Sequence, residues 1–459
     1  MIIKNETTMK KKIALILSVS VILFTSGLIF SFSSGRKQNH FSATRANSYP
    51  PDVAIAWIKM QQRLFVGTPG LLPHVTARAY AYVGLTLYES IVPGLPGYQS
   101  IAPQLSGKLI LPSIQQGKQF HCEASANAAL ASILRNLLPH ASPILLKSVD
   151  SLEADFYKRF QSDGNAETLQ SSADFGRKVA AAIFEWSKTD GGHEAFKNPI
   201  SESYILPNGT GKWVPTDTIF KSPVYPYWGS NRTFIPGVAE ATQPPPPPAY
   251  SETPGSDFYN AVNELYVMSK NLKQKDSLIA RFWAYEPLND DDEPVFDDVS
   301  HAANMATQMI LLKKLSLQDA AVLYCKHAIA GNDAAISCVK TKFHYNLVRP
   351  VTYIRTVLKH PNWNTVIFTP PFPEYTSGHA VVSMSYATIL DDAFGEIPFT
   401  DHSFDNSYGP RKFESFEAYA KEVGLSRLYG GIHYRFAMNE GLKQGRKVGK
   451  MVSQLKFKK

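Results

Sequence analysis

Three segments in the C-terminal half carry side chains whose types and spacing suit chemistry on an oxyanion. In Lys342-Phe-His-Tyr-Asn-Leu-Val-Arg349-Pro350, two cations stand two helical turns apart. A continuous helix would set both on one face, where they repel unless an anion lies between them. Pro350 ends or displaces such a helix, because the residue before a proline avoids the helical region. In Pro373-Glu-Tyr-Thr376-Ser377-Gly378-His379, a hydroxyl residue and a glycine precede the apolar run Ala380 to Leu390. Ser or Thr before a helix is a capping signal, Gly378 lets backbone come close to a ligand, and free N–H groups at a helix start favour an anion. In Ser426-Arg427-Leu-Tyr-Gly430-Gly431-Ile-His433, a straight helix would point Arg427 and His433 to different faces, but the glycine pair permits a break. Each segment alone has a bland reading: a solvated basic face, a short triplet, a packed helix histidine. Together they offer three cations, a hydroxyl and a backbone N–H for a tetrahedral trianion. One histidine can then serve as nucleophile or metal ligand and the other as acid or base.

The elements that must position these groups read as helices. Apolar residues recur at helical spacing over 52–65 and 77–91, and 122–137, 143–161 and 166–188 are rich in Ala, Leu and Glu. Helices resume over 256–270, 275–285, 299–314, 316–345, 379–392, 412–424 and 431–450, and alternating strand-like patterns are hard to find. Residues 190–254 differ, with Trp213, Trp228 and the run Pro244 to Pro248. This reads as a long ordered loop region with a stiff polyproline II spacer, and so long a loop is usually functional. The expectation is an all-α protein of packed helical bundles. An N-terminal helical region with the long loop spans 50–250, and a C-terminal helical core spans 251–459.

The 459 residues carry a formal charge of +8. About half of that sits at the N-terminus, in Lys4, Lys10, Lys11, Lys12 and Arg36. No basic run elsewhere resembles a nucleic-acid footprint. Lys10 to Lys12 precede an uncharged, mostly apolar stretch from Ile13 to Phe32. Residues 1–35 therefore read as a secretory signal peptide or an N-terminal anchor, and the body as exported. Cys122, Cys325 and Cys338 form no C-x-x-C pair, which argues against a zinc or thioredoxin-type site. They read as buried apolar residues, with one disulfide as the alternative. Asp290-Asp291-Asp292-Glu293 lacks calcium-loop spacing and reads as a solvated acidic turn.

The pattern K-x6-R-P, then S-G-H, then S-R-x5-H resembles that of the vanadium-dependent haloperoxidases and the acid phosphatases of the phosphatidic acid phosphatase type 2 superfamily. The likeness covers roughly residues 275–450, with a weaker extension through Ile279-Ala-Arg-Phe-Trp283 and Asp333. It implies that Lys342, Arg349, Ser377, Gly378 and Arg427 hydrogen-bond the equatorial oxygens of vanadate or phosphate. His433 would be the ligand to vanadium, or the nucleophile toward phosphorus, and His379 the acid–base residue. It also implies hydrogen peroxide and halide as substrates, hypohalous acid as product, vanadate as a Lewis-acid cofactor, and a homodimer.

The two chemistries are separated by details. The family often has Asp four residues after the third-segment histidine, where this chain has Ala437. In the phosphatases that carboxylate orients the nucleophile, so its absence weakens the phosphatase reading unless Asn439 or Glu440 substitutes. The lipid phosphatases are multi-span membrane proteins and the soluble ones are much shorter. A haloperoxidase is therefore expected, with bromide or iodide favoured. Phe372 stands where the family shapes its halide pocket. The alternatives are a secreted acid phosphatase working through a phosphohistidine and a non-catalytic oxyanion-binding protein.

Overall fold

The computed structural model describes residues 49–114, 119–162, 164–201, 203–216, 220–286 and 297–459. The expected signal or anchor at 1–35 and the acidic run Asp290 to Glu293 lie outside them. Among the described residues no helix is long and apolar enough to cross a membrane.

Helices dominate, as their apolar periodicity predicts. The first group is α1 (Asp52–Val66), α2 (Pro73–Ile91), α3 (Cys122–Leu137), α4 (Pro143–Phe160) and α5 (Ala166–Ser187). After a short turn, α6 (Val238–Ala241), come α7 (Asp257–Lys270), α8 (Gln274–Phe282), α9 (Asp298–Leu312), α10 (Leu317–Tyr345) and α11 (Pro350–Thr356). The chain closes with α12 (Gly378–Phe394), α13 (Phe416–Tyr429) and α14 (Arg435–Ser453). Neither α6 nor α11 is among the expected helices, and two others start later than expected. The helix expected over 412–424 starts later, capped by the Ser415 hydroxyl on the Ala418 N–H, because Arg411–Phe413 pairs antiparallel with Phe399–Asp401. Strands of three residues are too short for alternation to reveal. The helix expected from 431 starts at Arg435, because Gly431 takes a left-handed φ of 77°.

The 29 residues of α10 run about 43 Å at the helical rise, and α2, α12 and α14 pack along them. Small residues set the closest approach. A Cβ on Gly445 of α14 would lie 2.1 Å from the carbonyl oxygen of Val381 on α12, so only glycine lets these helices touch. That contact brings the start of α12 beside the turn before α14, where two of the three motif segments lie. All three cysteines are buried and none is in a disulfide.

The long arm between α5 and α7 braces the site-bearing segments. Trp213 N–H donates to the Asn346 carbonyl (2.8 Å) and Val224 N–H to that of Pro371 (3.0 Å). The proline run is tied down by tyrosine hydroxyls: Tyr345 donates to the Pro244 carbonyl (3.2 Å) and Tyr375 to that of Pro245 (2.7 Å). Proline has no N–H to offer, so its carbonyls alone make these bonds. Asp333 on α10 accepts the N–H groups of Phe234 and Ile235, both at 2.8 Å. Asp333→Ala would leave both donors buried without an acceptor. The expected loss is about 2–4 kcal/mol of stability, read as a lower urea midpoint. Faster proteolysis within 190–254 should accompany it, and unchanged stability would show that the carboxylate does not hold the arm.

Candidate active site

The three segments meet at one pocket, by a different local route from the one expected for the first. α10 ends at Tyr345, and Asn346 takes a left-handed conformation whose N–H caps the Lys342 carbonyl (2.8 Å). Arg349 is the N-cap of α11, with Pro350 in its first turn. Lys342 and Arg349 therefore do not stack on one helix face. They converge across a turn from two helices, because Asn346 tolerates positive φ and Pro350 needs an extended residue before it.

Both cations are buried and held by backbone carbonyls. Lys342 Nζ donates to the carbonyls of Pro373 (3.1 Å), Glu374 (2.9 Å) and Thr376 (2.5 Å). Arg349 donates through Nε to Phe372 (2.9 Å) and through Nη1 to Ile432 (3.0 Å). Phe372 lies near both, 5.2 Å from Lys342 Nζ and 5.3 Å from Arg349 Cζ to its ring centre. Burial lowers Lys342 to about 8 and Arg349 to about 10. Loss of hydration penalises the charged form, so an anion arriving here would relieve a standing electrostatic cost.

In the second segment Ser377 is the N-cap of α12, but its hydroxyl makes no capping bond. The hydroxyl is buried with no partner among the described residues, while its N–H donates to the Ala437 carbonyl (3.1 Å). A buried, unpaired hydroxyl costs free energy unless a ligand satisfies it. A Cβ on Gly378 would meet only Cys338 Sγ, at 3.9 Å, so the backbone there is open to a ligand. His379 is partly buried, and burial followed by Arg427 pushes it well below the usual imidazole range. Its Nε2 lies 3.3 Å from Arg427 Nη1.

The third segment contains the expected break. Arg427, in the last turn of α13, donates to Ser426 Oγ (3.0 Å) and to the Ala280 carbonyl (3.1 Å), and burial lowers it to about 10. The chain turns at Gly431, and His433 sits in the turn rather than on a helix. His433 Nε2 lies 3.4 Å from Arg349 Nη1, while Nδ1 lies 2.7 Å from Glu374 Oε1. Burial and three cations hold this imidazole well below its usual range, so it is neutral.

Glu374 is the residue that motif reasoning did not single out. It is fully buried, and Oε1 also accepts the Tyr434 N–H (2.9 Å). Burial pushes its carboxyl up to about 7, against the pull of Lys342 and Arg349. With Glu374 accepting from Nδ1–H, the Nε2 lone pair of His433 is left to face Arg349 and the pocket. The vacancy at Ala437 is thus filled from the second segment. Neither candidate substitute serves, since Glu440 binds Lys443 (2.7 Å) at the surface and His433 has Glu374 on Nδ1 and Arg349 at Nε2, with Asn439 bonded to neither nitrogen among the described residues. Asp298, at the start of α9, is a second missed carboxylate. Burial and Asp297 raise it to about 7, and it feels the charge of Arg427. Its one sequence signal was a tandem Asp before a helix, which reads as a cap.

This geometry can be set beside known proteins. Residues 322–458 match the family model for the VCPO second helical-bundle domain. The structure is similar to that of the first bacterial vanadium-dependent iodoperoxidase, with a TM-score of 0.77 and 29% identity over 92% of this chain and 99% of that one. It shares its fold with a bacterial vanadium-dependent chloroperoxidase in its holo form, with a TM-score of 0.66 and 15% identity over 91% of this chain and 98% of that one. Comparison with curated proteins gave no match. The three motif segments fall within the residues that match the family model, and the chain resembles the vanadium-dependent haloperoxidases in motif and fold.

Proposed function

We propose that this protein is a vanadate-dependent peroxidase that oxidises iodide or bromide with hydrogen peroxide to hypohalous acid. One observation carries the reading. Three buried cations and an unpaired serine hydroxyl converge beside a histidine whose Nδ1 is held by a buried carboxylate. That donor set fits vanadate. Lys342, Arg349, Ser377, Gly378 and Arg427 would bind its oxygens, and His433 Nε2 its metal. Bound there, vanadate supplies a Lewis acid that polarises peroxide toward halide attack. The protein neutralises charge through the three cations and keeps His433 oriented through Glu374. His379, neutral beside Arg427, is placed to take a proton from incoming peroxide and return it to the departing oxygen. Phe372 gives the halide an apolar edge next to two cations, and the likeness to an iodoperoxidase supports iodide.

Neither a phosphohistidine phosphatase nor a purely binding protein is favoured by the comparisons, and pure binding has no use for two histidines. The test is to strip the protein with chelator, reload it with orthovanadate, and follow iodide, bromide and chloride oxidation by peroxide. Turnover that appears only with vanadate and is suppressed by phosphate is expected. Phosphate-ester hydrolysis without halide oxidation would overturn the reading. The reading includes export directed by residues 1–35 and association as a homodimer. N-terminal sequencing by cell fraction and sedimentation test these two.

Oxyanion affinity should also depend on pH in a stated direction. Lys342 is charged below about 8 and neutral above it. Sulfate, whose own charge is constant over this range, should bind progressively more weakly as pH rises past 8. The limit is about tenfold per unit, measured by calorimetry. Lys342→Gln should bind weakly throughout and lose this dependence, and an unchanged slope would remove Lys342 from the anion site.

A further inference from the structure

A cavity of about 500 Å³ opens directly onto the oxyanion pocket. Lys342, Gly378 and His379 lie at its inner end, and its walls are mostly apolar, including Leu72, Val224, Val339 and Val382, with Asp298 and His74 as polar exceptions. Hydrogen peroxide and a halide are close to water in size, which needs roughly 30 Å³. The cavity exceeds what they need by an order of magnitude and falls within the range of organic-ligand sites, roughly 300–1,000 Å³. Its rim is apolar as well. Phe368 and Ile200 line it and are 55% and 40% exposed, and Phe368 has the Phe220 ring at 6.3 Å. Bulky apolar side chains at a mouth are costly in water and suit the entry of an apolar molecule.

Two polar groups in the wall have an atom with no hydrogen-bond partner among the described residues, the Asp298 carboxyl at Oδ1 and the His74 imidazole. His74, at the start of α2, lines the cavity, and its Nδ1 has no partner among the described residues. Its ring is placed by edge contacts with Tyr225 (5.4 Å), Trp228 (5.7 Å) and Phe372 (6.0 Å). Burial, then Lys342, lowers it to about 4, so it is a neutral imidazole with one donor and one acceptor nitrogen. A few hydrogen-bonding groups in a mostly apolar enclosure orient a ligand more than they attract one.

We propose that this cavity binds a neutral, electron-rich aromatic acceptor of the phenol class, its hydroxyl hydrogen-bonded to His74, and that halogenation takes place there. The proposal rests on the peroxidase reading above. Hypohalous acid formed at the inner end would meet the ring before escaping. A ring electron pair forms the carbon–halogen bond as the halogen–oxygen bond breaks. The ring proton leaves with the released hydroxide as water, so no further oxidant is needed.

The test uses the full chain with 2-naphthol as probe. Without vanadate, calorimetry should show saturable binding. His74→Phe, which keeps the ring edge and removes the hydrogen bond, should weaken it about tenfold. Ala335→Phe places bulk into the cavity from α10 and should weaken binding at least as much. With vanadate, Ala335→Phe should raise the KM for naphthol halogenation while triiodide formation from iodide alone stays unchanged. Absence of saturable binding, or binding indifferent to both substitutions, overturns the proposal even if halide oxidation is normal. Binding without any halide oxidation overturns both the halogenation role and the peroxidase reading.

Discussion

Replacing His433 by alanine is expected to remove vanadate binding and halide oxidation together while leaving the fold and phosphate binding in place. The Nδ1 of His433 is held by Glu374, which leaves the Nε2 lone pair facing Arg349 and the pocket, whereas His379 lies against Arg427. The neighbours of His433 hold themselves without it. Glu374 keeps the Tyr434 N–H (2.9 Å), Arg349 keeps the Ile432 and Phe372 carbonyls, and Lys342 keeps its three carbonyls. Removing an outer partner of a metal ligand typically costs ~10–100-fold in affinity, and removing the ligand itself should cost more than that. Phosphate, held through its oxygens by the cations and Ser377, should change by only a few-fold. Titration of both anions into wild type and His433→Ala, with circular dichroism to verify folding, gives the comparison. Vanadate affinity that survives the substitution would place the metal elsewhere. Parallel loss of phosphate and vanadate would mean that His433 shapes the pocket instead of ligating.

Glu374→Gln is expected to have the second largest effect, and its signature differs. The side chain keeps its size and one acceptor for Tyr434 N–H. An amide NH2 turned toward Nδ1 can only donate, so His433 would have to move its proton to Nε2 and lose the lone pair that faces the pocket. Vanadate affinity should fall about 10–100-fold, and phosphate affinity should scarcely change. Glu374→Asp keeps the charge but shortens the reach, and should recover part of the loss. A role in packing alone predicts the reverse order, with the isosteric Gln tolerated and the smaller Asp not. Imidazole proton resonances would read the tautomer directly. Wild-type vanadate affinity in Glu374→Gln would leave His433 oriented by something other than this carboxylate.

The two predictions differ in how visible their residues are in the chain. His433 stands in a contiguous pattern with Arg427, and the Gly430-Gly431 pair announces the break that turns both toward one pocket. Ser377-Gly378-His379 before an apolar run likewise marks a helix start. Glu374 belongs to the same segment, yet its importance rests on a contact with a residue on another element, and no spacing rule links them. Ala437 registered only that a carboxylate was missing. Lys342 and Arg349 show a third case. Their shared destination was legible from charge and spacing, but the route was not, because a left-handed Asn346 replaces the second helical turn.

What the sequence by itself determined is what local physics governs. Apolar periodicity set the helices and hence an all-α fold, and the proline-rich stretch identified itself as an arm with little helix. The three short motifs marked Lys342, Arg349, Ser377, Gly378, Arg427 and both histidines as candidate site residues. The tertiary structure alone decided that the arm is tied to the site through Asp333 and the Tyr345 and Tyr375 hydroxyls, and that Glu374 orients His433. It alone enclosed His74 in an apolar cavity beside His379. The division has one cause. Helix periodicity and capping are properties of residues a few positions apart, so they can be read along the chain. A buried carboxylate–imidazole pair and a cavity wall join residues from distant elements, and they exist only after helices such as α12 and α14, touching at Gly445, have packed.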